Sequence, residues 1–202
     1  VSDVVESKES FWANPLFKSG SAWSITIFFG LLNMIHYASA TWLPTILITK
    51  GFTLVNAGIL VAVATLVGSL LSLAVPHFAS KRKDFRIVLV VFSIFLAVSY
   101  FAISVDSGMR LWLWVILGNI GVYVTFSIAL FLVVFRAADA SKTKSLSIMM
   151  QSVGYVMATV SPIVLGRLFD ITGNWDRALY FIIGLAALQV LVAMKAGSNE
   201  KV

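Results

Sequence analysis

The chain has 202 residues, of which 59% are hydrophobic and 12% are charged, with a net charge of +6 and no cysteine. A soluble domain is usually about 45 to 50% apolar, so this composition indicates an integral membrane protein. The lack of cysteine excludes disulfides and thiolate metal sites, and nucleic-acid binding is not predicted because the basic residues lie in short loops between apolar runs.

Six apolar runs follow one another along the chain, and each is long enough to cross a hydrocarbon core of about 30 Å as a helix. None shows the alternation of apolar and polar residues that is typical of a membrane β-strand. The sequence therefore predicts an all-α membrane protein with six transmembrane helices in a bundle over residues 21–195. The six runs cover roughly residues 21–48, 55–78, 85–104, 111–135, 145–168 and 177–195.

The distribution of Lys and Arg predicts the orientation of these helices. Eleven of the fifteen basic residues lie on one side, which includes the loops "SKRKDFR" and "RAADASKTK", and four lie on the other. Because cytoplasmic loops are enriched in basic residues, both termini are predicted to be cytoplasmic. We expect a multi-pass protein of the cell inner (plasma) membrane, with a cytoplasmic segment at 1–20 and a cytoplasmic tail at 196–202.

The first run contains the polar stretch "NMIHYASATWLPTIL". Asn33, His36, Tyr37 and Thr41 are spaced i, i+3, i+4 and i+8, so they share one helical face. Ionisable groups at membrane depth are rare and usually face a pathway or a polar partner. Two interpretations remain open: an interhelical hydrogen bond made by His36, or a cavity whose lining groups bind a solute or a proton.

The fourth and fifth predicted helices carry similar polar pairs. Asn119 and Tyr123 are four residues apart in the fourth, and Gln151 and Tyr155 are four apart in the fifth. The same two interpretations apply to them.

The third and sixth predicted helices carry little polar material besides Ser, Tyr and Gln189. They are expected to face lipid on much of their circumference, and changes at Ser93 or Gln189 are expected to be nearly silent. The order of a polar, an intermediate and a lipid-facing helix therefore occurs twice. This predicts two three-helix units in a 3+3 inverted repeat.

Small residues predict where helices approach one another closely. In the fifth predicted helix, Gly154, Ala158, Pro162 and Gly166 recur every four residues and form one ridge. Further small residues lie in the second and fourth predicted helices: Gly58, Ala62, Gly68, Gly118 and Gly121.

The motifs of enzymes are missing from the sequence. There is no HExxH, no GxSxG and no cluster of histidines with carboxylates, and all nine acidic residues fall in loops or tails. The sequence therefore predicts no enzymatic activity, no metal site and no cofactor. Polar groups without a fixed carboxylate favour a neutral or anionic solute over an organic cation.

Two long segments carry a resemblance to a known family. "TWLPTILITKGFTLVNAGILVAVATLVGSLLSLAVPHFASKRKD" and "MMQSVGYVMATVSPIVLGRLFDITGNW" resemble the carboxyl-terminal half of a major facilitator superfamily transporter. The "WLP", "NAG" and "QSVGY" elements within them are similar to the cyanate and 2-nitroimidazole transporter branch. The loop "FASKRKDFR" departs from the usual Asp-Arg-x-Gly-Arg-Arg loop, since it lacks the glycine and the leading aspartate.

The resemblance implies that the six helices are helices seven to twelve of a twelve-helix carrier. Residues 1–20 would then be the end of its central loop, and the partner would be an N-terminal six-helix half. The implied activity is secondary active transport of a small neutral or anionic solute, such as a cyanate-like or nitroimidazole-like compound. A six-helix structural or assembly subunit without a solute path is the alternative. The candidate substrate-binding residues are Asn33, His36, Tyr37, Thr41, Asn119, Tyr123, Gln151 and Tyr155.

Overall fold

The computed structural model describes residues 15–79, 81, 83–200 and 202, so most of the predicted cytoplasmic segment 1–20 lies outside the described residues. In the described part, the chain begins with a short 3-10 helix and continues through seven α-helices. These are Pro15–Lys18 (3-10), α1 (Gly20–Thr49), α2 (Leu54–Ser72), α3 (Val75–Ala79), α4 (Arg86–Val105), α5 (Arg110–Arg136), α6 (Ala140–Thr172) and α7 (Asp176–Ala196).

The long helices match the six predicted runs in order, and the second run is the one that is interrupted. A turn at residues 73–74 separates α2 from the five-residue α3. Pro76 lies in the first turn of α3, where a proline costs no intrahelical hydrogen bond because the N–H there would have no partner. The sequence around Pro76 thus favours a new helix start over a continuous helix.

Five helical segments of the described residues are long and apolar enough to cross a membrane: α2 with α3, and α4 to α7. Six membrane spans were predicted, and the one missing from these five is α1. This helix has 30 residues but is not apolar enough to be counted with the others. The polar side chains of Asn33, His36 and Tyr37 lie near the middle of α1 and lower its mean hydropathy. The all-α membrane architecture is therefore seen, with five helices of spanning character.

Several helix ends are fixed by the local sequence. The side chains of Ser19, Thr53 and Asp139 accept hydrogen bonds from backbone N–H groups in the first turns of α1, α2 and α6. Such N-caps satisfy donors that have no partner within the helix. Gly173, with φ +70°, ends α6 in the left-handed conformation that favours glycine.

The bundle is built from two sets of helix contacts. α1 packs on α6 and α7, α5 packs on α2 and α4, and α4 packs on α7. The predicted small-residue ridge of α6 lies in the first set. A Cβ atom at Gly154 would lie 3.0 Å from Phe29 Cε1, and one at Gly166 would lie 3.2 Å from Trp42 Cζ2. The close approach predicted from the spacing in α6 is confirmed.

The small residues of α2 behave differently from the prediction. Gly68 packs closely, since a Cβ there would lie 2.9 Å from the Asn119 carbonyl oxygen. Gly58 and Ala62 are exposed, so they do not pack against the other helices in the described part of the chain. The reason is that α2 buries only one stripe of its surface, formed by Ala57, Leu60, Ala64 and Gly68.

The third and sixth predicted helices were expected to face lipid on much of their circumference, but each exposes only one face. α4 exposes a stripe that includes Ile87, Val91 and Val98, but its other face is buried against α5 and α7. Ser93 on α4 and Gln189 on α7 are both 0% exposed. They were expected to be silent positions, and their burial makes them unsuitable as such controls.

The tail after α7 folds against the end of the bundle. Arg136 at the end of α5 is buried and donates hydrogen bonds to the carbonyls of Glu200 (2.9 Å) and Ala196 (3.2 Å). The N–H of Val202 donates to the Arg136 carbonyl (3.2 Å), and the N–H of Phe85 donates to Gly197 (3.0 Å). The tail, the start of α4 and the ends of α5 and α7 therefore lie at one end of the molecule.

Candidate functional site

The polar face of α1 is open around Tyr37 and Thr41, whereas Asn33 at its start is buried. Its opposite face carries Ile35, Ala38 and Leu43, which are all buried in the bundle. On the polar face, the Tyr37 side chain is 43% exposed and Thr41 is also exposed. The helical spacing thus divides α1 into a core side and an accessible side.

Four rings from three helices form a cluster on this side, called here the aromatic cluster: His36 and Tyr37 of α1, Tyr123 of α5 and Tyr155 of α6. The ring centroid of His36 lies 5.5 Å from that of Tyr37 and 5.7 Å from that of Tyr123. The centroids of Tyr37 and Tyr155 are 6.4 Å apart. All three pairs meet edge to face, which is a favourable arrangement for aromatic rings. All four residues were predicted from their positions in apolar runs.

The aromatic cluster offers both flat apolar faces and polar atoms to a ligand. Tyr155 is 40% exposed, as Tyr37 is at 43%, so their rings and hydroxyls can be reached from outside the bundle. Tyrosine hydroxyls donate and accept hydrogen bonds, and the imidazole of His36 adds a nitrogen donor or acceptor. In the described part of the chain, no group of three or more His, Asp or Glu residues could hold a metal ion.

A small cavity of about 100 Å³ adjoins the cluster at His36. Asn119 lines it from α5, and its Nδ2 donates to the Val115 carbonyl (3.0 Å). Most of the other lining residues come from α1, α2 and α4. The full lining is His36, Ser39, Ala40, Leu43, Val61, Thr65, Tyr100, Asn119 and Val122.

Three polar residues of this cavity, Ser39, Thr65 and Tyr100, were not among the predicted site residues. The hydroxyls of Ser39 and Tyr100 are in hydrogen-bond contact, and Tyr100 is 3% exposed. Tyr100 belongs to α4, which was expected to face lipid. The available signal was a tyrosine in an otherwise apolar helix, because a buried tyrosine hydroxyl usually has a hydrogen-bond partner.

The remaining three predicted residues form hydrogen bonds within their own helices. Asn33 is 1% exposed and donates to the Phe29 carbonyl (2.7 Å). Thr41 donates to the Tyr37 carbonyl (2.8 Å). Gln151 donates to the Ser147 hydroxyl (2.7 Å). Their part in substrate binding stays a prediction.

At the opposite end of the bundle from the tail, a polar cluster joins two loops. Lys50, which follows α1, donates to the carbonyls of Ser104 (3.2 Å) and Asp106 (3.1 Å). The Trp114 indole donates to the Asp106 carboxylate (2.9 Å), and this hydrogen bond, with the nearby charges of Arg110 and Lys50, holds the pKa of Asp106 below its usual value. The contacts tie the end of α1 to the α4–α5 connection.

The chain has sequence relatives among characterised and uncharacterised transporters. It is 29% identical over 191 residues to the 2-nitroimidazole transporter of Escherichia coli (strain K12), covering 95% of this chain and 47% of that protein. It is 34% identical over 192 residues to the uncharacterized transporter YycB of Bacillus subtilis (strain 168), covering 95% and 46%. It is 28% identical over 180 residues to the cyanate transport protein CynX of Escherichia coli (strain K12), covering 85% and 46%.

The chain thus spans about half the length of these curated relatives. The family model described as Major Facilitator Superfamily matches residues 2–162, which is most of the chain. This match covers α1 to α5 and much of α6, including all helices that contribute to the aromatic cluster. The resemblance seen in the sequence is confirmed: the chain belongs to the Major Facilitator Superfamily.

Proposed function

We propose that this chain forms one six-helix half of a secondary active transporter, which moves a small neutral or anionic solute by alternating access. The observation that carries the proposal is the aromatic cluster. It brings hydrogen-bonding rings from α1, α5 and α6 together on an accessible face of a bundle of otherwise apolar helices. Polar groups at membrane depth usually face a substrate pathway, and transporter sites lie near the middle of the membrane.

The chemistry of the cluster favours a small planar or anionic solute. The rings of Tyr37 and Tyr155 offer faces on which a planar heterocycle can stack. Their hydroxyls and the His36 imidazole can donate hydrogen bonds to an anion such as cyanate or to a nitro group. The names of two relatives, a 2-nitroimidazole transporter and a cyanate transport protein, support the same solute class.

The helix packing supports an inverted repeat of three plus three helices. The first unit consists of α1, α2 with α3, and α4, and the second of α5, α6 and α7. The first helix of each unit, α1 or α5, packs on the second and third helices of the other unit. The contact between α4 and α7 joins the two third helices. In this arrangement α1 is the sixth membrane span, and its polar side faces the solute path instead of lipid. The partner half would supply the other wall of the path.

The orientation proposed from the basic residues fits the ends of the bundle. Lys83, Lys142 and Lys144 are exposed near the end that also carries Arg136 and the tail. Since basic residues favour the cytoplasmic side, we place this end and both termini in the cytoplasm, with the bundle in the plasma membrane. The α1–α2 and α4–α5 connections, tied by Lys50, would then face outward.

Uptake by the complete carrier in proteoliposomes tests this function, with radiolabelled cyanate and 2-nitroimidazole as solutes. The variant Tyr155→Phe removes one hydroxyl from the aromatic cluster and keeps the ring. We expect its KM to rise about fivefold or more, because a lost hydrogen bond costs about 1 kcal/mol. The matched control is Tyr180→Phe on α7, where the tyrosine is 58% exposed and has no ring contact with the cluster.

Equal uptake kinetics in the wild type and both variants would show that the aromatic cluster does not bind the solute. Uptake of neither solute above that of protein-free liposomes would contradict the proposed solute class.

A further inference from the structure

A larger cavity of about 630 Å³ lies between α2 with α3, α4 and α5, and it shares no lining residue with the small cavity at His36. Its floor is one stripe of α5, formed by Ile120, Val124 and Ile128, which are four residues apart. At 1.5 Å per residue this stripe is about 12 Å long. The cavity is therefore a groove that runs along a membrane-spanning helix.

The two walls of the groove are also apolar. Leu71 and Phe78 line it from α2 and α3, whereas Val88 and Phe92 line it from α4. Leu71 and Phe78 are 48% and 64% exposed, so this wall is open at the surface of the chain. α2 and α4 both pack on α5, and the groove is the gap that they leave over it.

A single charged residue stands at one end of the groove. Lys81 is the only polar side chain among the described lining residues, and its Nζ lies 3.3 Å from Nε2 of His77. In the described part of the chain, the Asp84 carboxylate pairs with Arg86 (3.7 Å) and no carboxylate pairs with Lys81. The loop sequence "SKRKDFR" carries four basic residues and one acidic residue, so the end of the groove is positively charged.

We infer that this groove binds an anionic phospholipid, with one acyl chain along α5 and the phosphate at Lys81. An acyl chain needs an apolar groove that is open to the bilayer, and a phosphate needs a cation where the groove reaches the membrane surface. Both features occur here at the end that the basic residues assign to the cytoplasm. Basic pockets between transmembrane helices on this side bind anionic head groups. The inference uses the membrane placement proposed above but not the transport activity.

The lining excludes an extended peptide as the occupant. The N–H and C=O groups of such a peptide would need hydrogen-bond partners in a site where Lys81 is the one polar side chain of the described lining. An acyl chain carries no such groups. The charge at Lys81 further favours a lipid with a net negative head group over a zwitterionic one.

Native mass spectrometry of the complete, delipidated carrier tests the inference with dioleoyl phosphatidylglycerol and dioleoyl phosphatidylcholine as probes. We expect tighter binding of phosphatidylglycerol. Lys81→Gln should weaken phosphatidylglycerol binding about fivefold, the factor that one basic residue near an anionic surface contributes, and should weaken phosphatidylcholine binding less, because the choline charge offsets its phosphate. The matched control is Lys144→Gln, an exposed lysine of the other basic segment, which should change neither.

Two further variants fill the groove from opposite walls. Ala74→Phe changes an exposed lining residue, and Val88→Trp changes a half-buried one. Each should reduce the binding of both lipids, because the acyl chain loses its place. A variant that no longer elutes at the native volume in size-exclusion chromatography is set aside as misfolded. The other groove variant and Lys81→Gln, which alters an exposed side chain, then test the lipid site.

Three results would overturn the inference. Phosphatidylglycerol could bind equally to the wild type, Lys81→Gln and the groove variants. Free glycerol 3-phosphate could bind as tightly as phosphatidylglycerol, which would mean that the acyl chain contributes nothing. The lipid-free protein could form a dimer that Ala74→Phe abolishes, which would assign the groove to a contact between two copies.

Discussion

Gln189 is a buried amide for which the described residues offer no hydrogen-bond partner. It is 0% exposed, and neither its Nε2 nor its Oε1 atom is hydrogen-bonded in the described part of the chain. Burying a polar group without a hydrogen-bond partner lowers the free energy of unfolding by about 1 to 3 kcal/mol. Burying an apolar group of the same size carries no such desolvation penalty. We expect Gln189→Leu to raise the free energy of unfolding by about 1 kcal/mol.

The measurement for Gln189 is unfolding in detergent followed by circular dichroism. The matched control is Gln151→Leu, since Gln151 is half-buried and donates a 2.7 Å hydrogen bond to Ser147. This variant should lower stability or leave it unchanged. A clear loss of stability in Gln189→Leu would instead show that the amide has a partner in the native bundle.

His36 lies between Tyr37 of its own helix and Tyr123 of α5. Histidine is the side chain that ordinarily changes charge between pH 5 and 8, and the other members of the aromatic cluster are tyrosines. We therefore expect His36→Gln to flatten the pH dependence of uptake by the complete carrier between pH 5 and 8, with little change in the amount of protein in the membrane.

Uptake at several pH values, normalised to protein amount, decides between the two interpretations of His36. Gln retains hydrogen-bonding capacity and has no titratable proton. An unchanged affinity together with an unchanged pH profile in His36→Gln would assign the residue to an interhelical hydrogen bond. Thr41→Val, an exposed change on the same helix, should leave the pH profile as it is.

At this scale, the sequence identifies polar side chains in apolar runs but not their neighbours. His36, Tyr37, Tyr123 and Tyr155 were all candidate site residues, but the spacing within each helix did not predict their contacts across three helices. Tyr100 could not be assigned to the same region, because its contact with Ser39 depends on how α4 packs across the bundle.

The α1–α6 interface depends on the absence of a side chain at Gly154. A Cβ there would lie 3.0 Å from Phe29 Cε1, so the Phe29 ring must move to accept it. We expect Gly154→Ala to lower the free energy of unfolding by about 1 to 3 kcal/mol, the usual cost of overpacking.

Gly184 in α7 is the matched control for Gly154. It also lies inside a helix, and a Cβ there would meet nothing within 4 Å. Gly184→Ala should therefore stabilise the protein by up to about 1 kcal/mol through its helix propensity. Both variants can be compared by the same unfolding titration, and a similar gain in stability in the two would show that α1 and α6 are not tightly packed at Gly154.

The positions of the helices are the best-predicted part of the fold. Which face of each helix is buried is the least well predicted part. The third predicted run, 85–104, corresponds to α4 at Arg86–Val105, because uninterrupted apolar content marks a membrane helix clearly. Hydropathy does not report which side of a helix is covered. For this reason the buried faces of α4 and α7, and the exposure of Gly58 on α2, became visible only in the packed bundle.

At the scale of the whole molecule, the bundle exposes both apolar faces and a partly polar side of one helix. The exposed apolar residues on α2 alone include Leu54, Val55, Ile59, Leu66 and Leu70, and the accessible side of α1 carries Tyr37. A bilayer can cover apolar faces, but the polar side of α1 needs water, a solute or a second bundle. Sequence similarity predicted the family correctly. The packing of α1 on α6 and α7, and of α5 on α2 and α4, could be seen only in the structure.

The most direct test of the half-carrier proposal compares two preparations in proteoliposomes: the isolated 202-residue chain and the same chain together with the preceding six-helix half of its carrier. Alternating access requires two bundles that move against each other. We expect saturable uptake of labelled cyanate or 2-nitroimidazole only when both halves are present. Robust uptake by the isolated 202 residues would contradict the proposal and would assign the activity to an assembly of this chain alone.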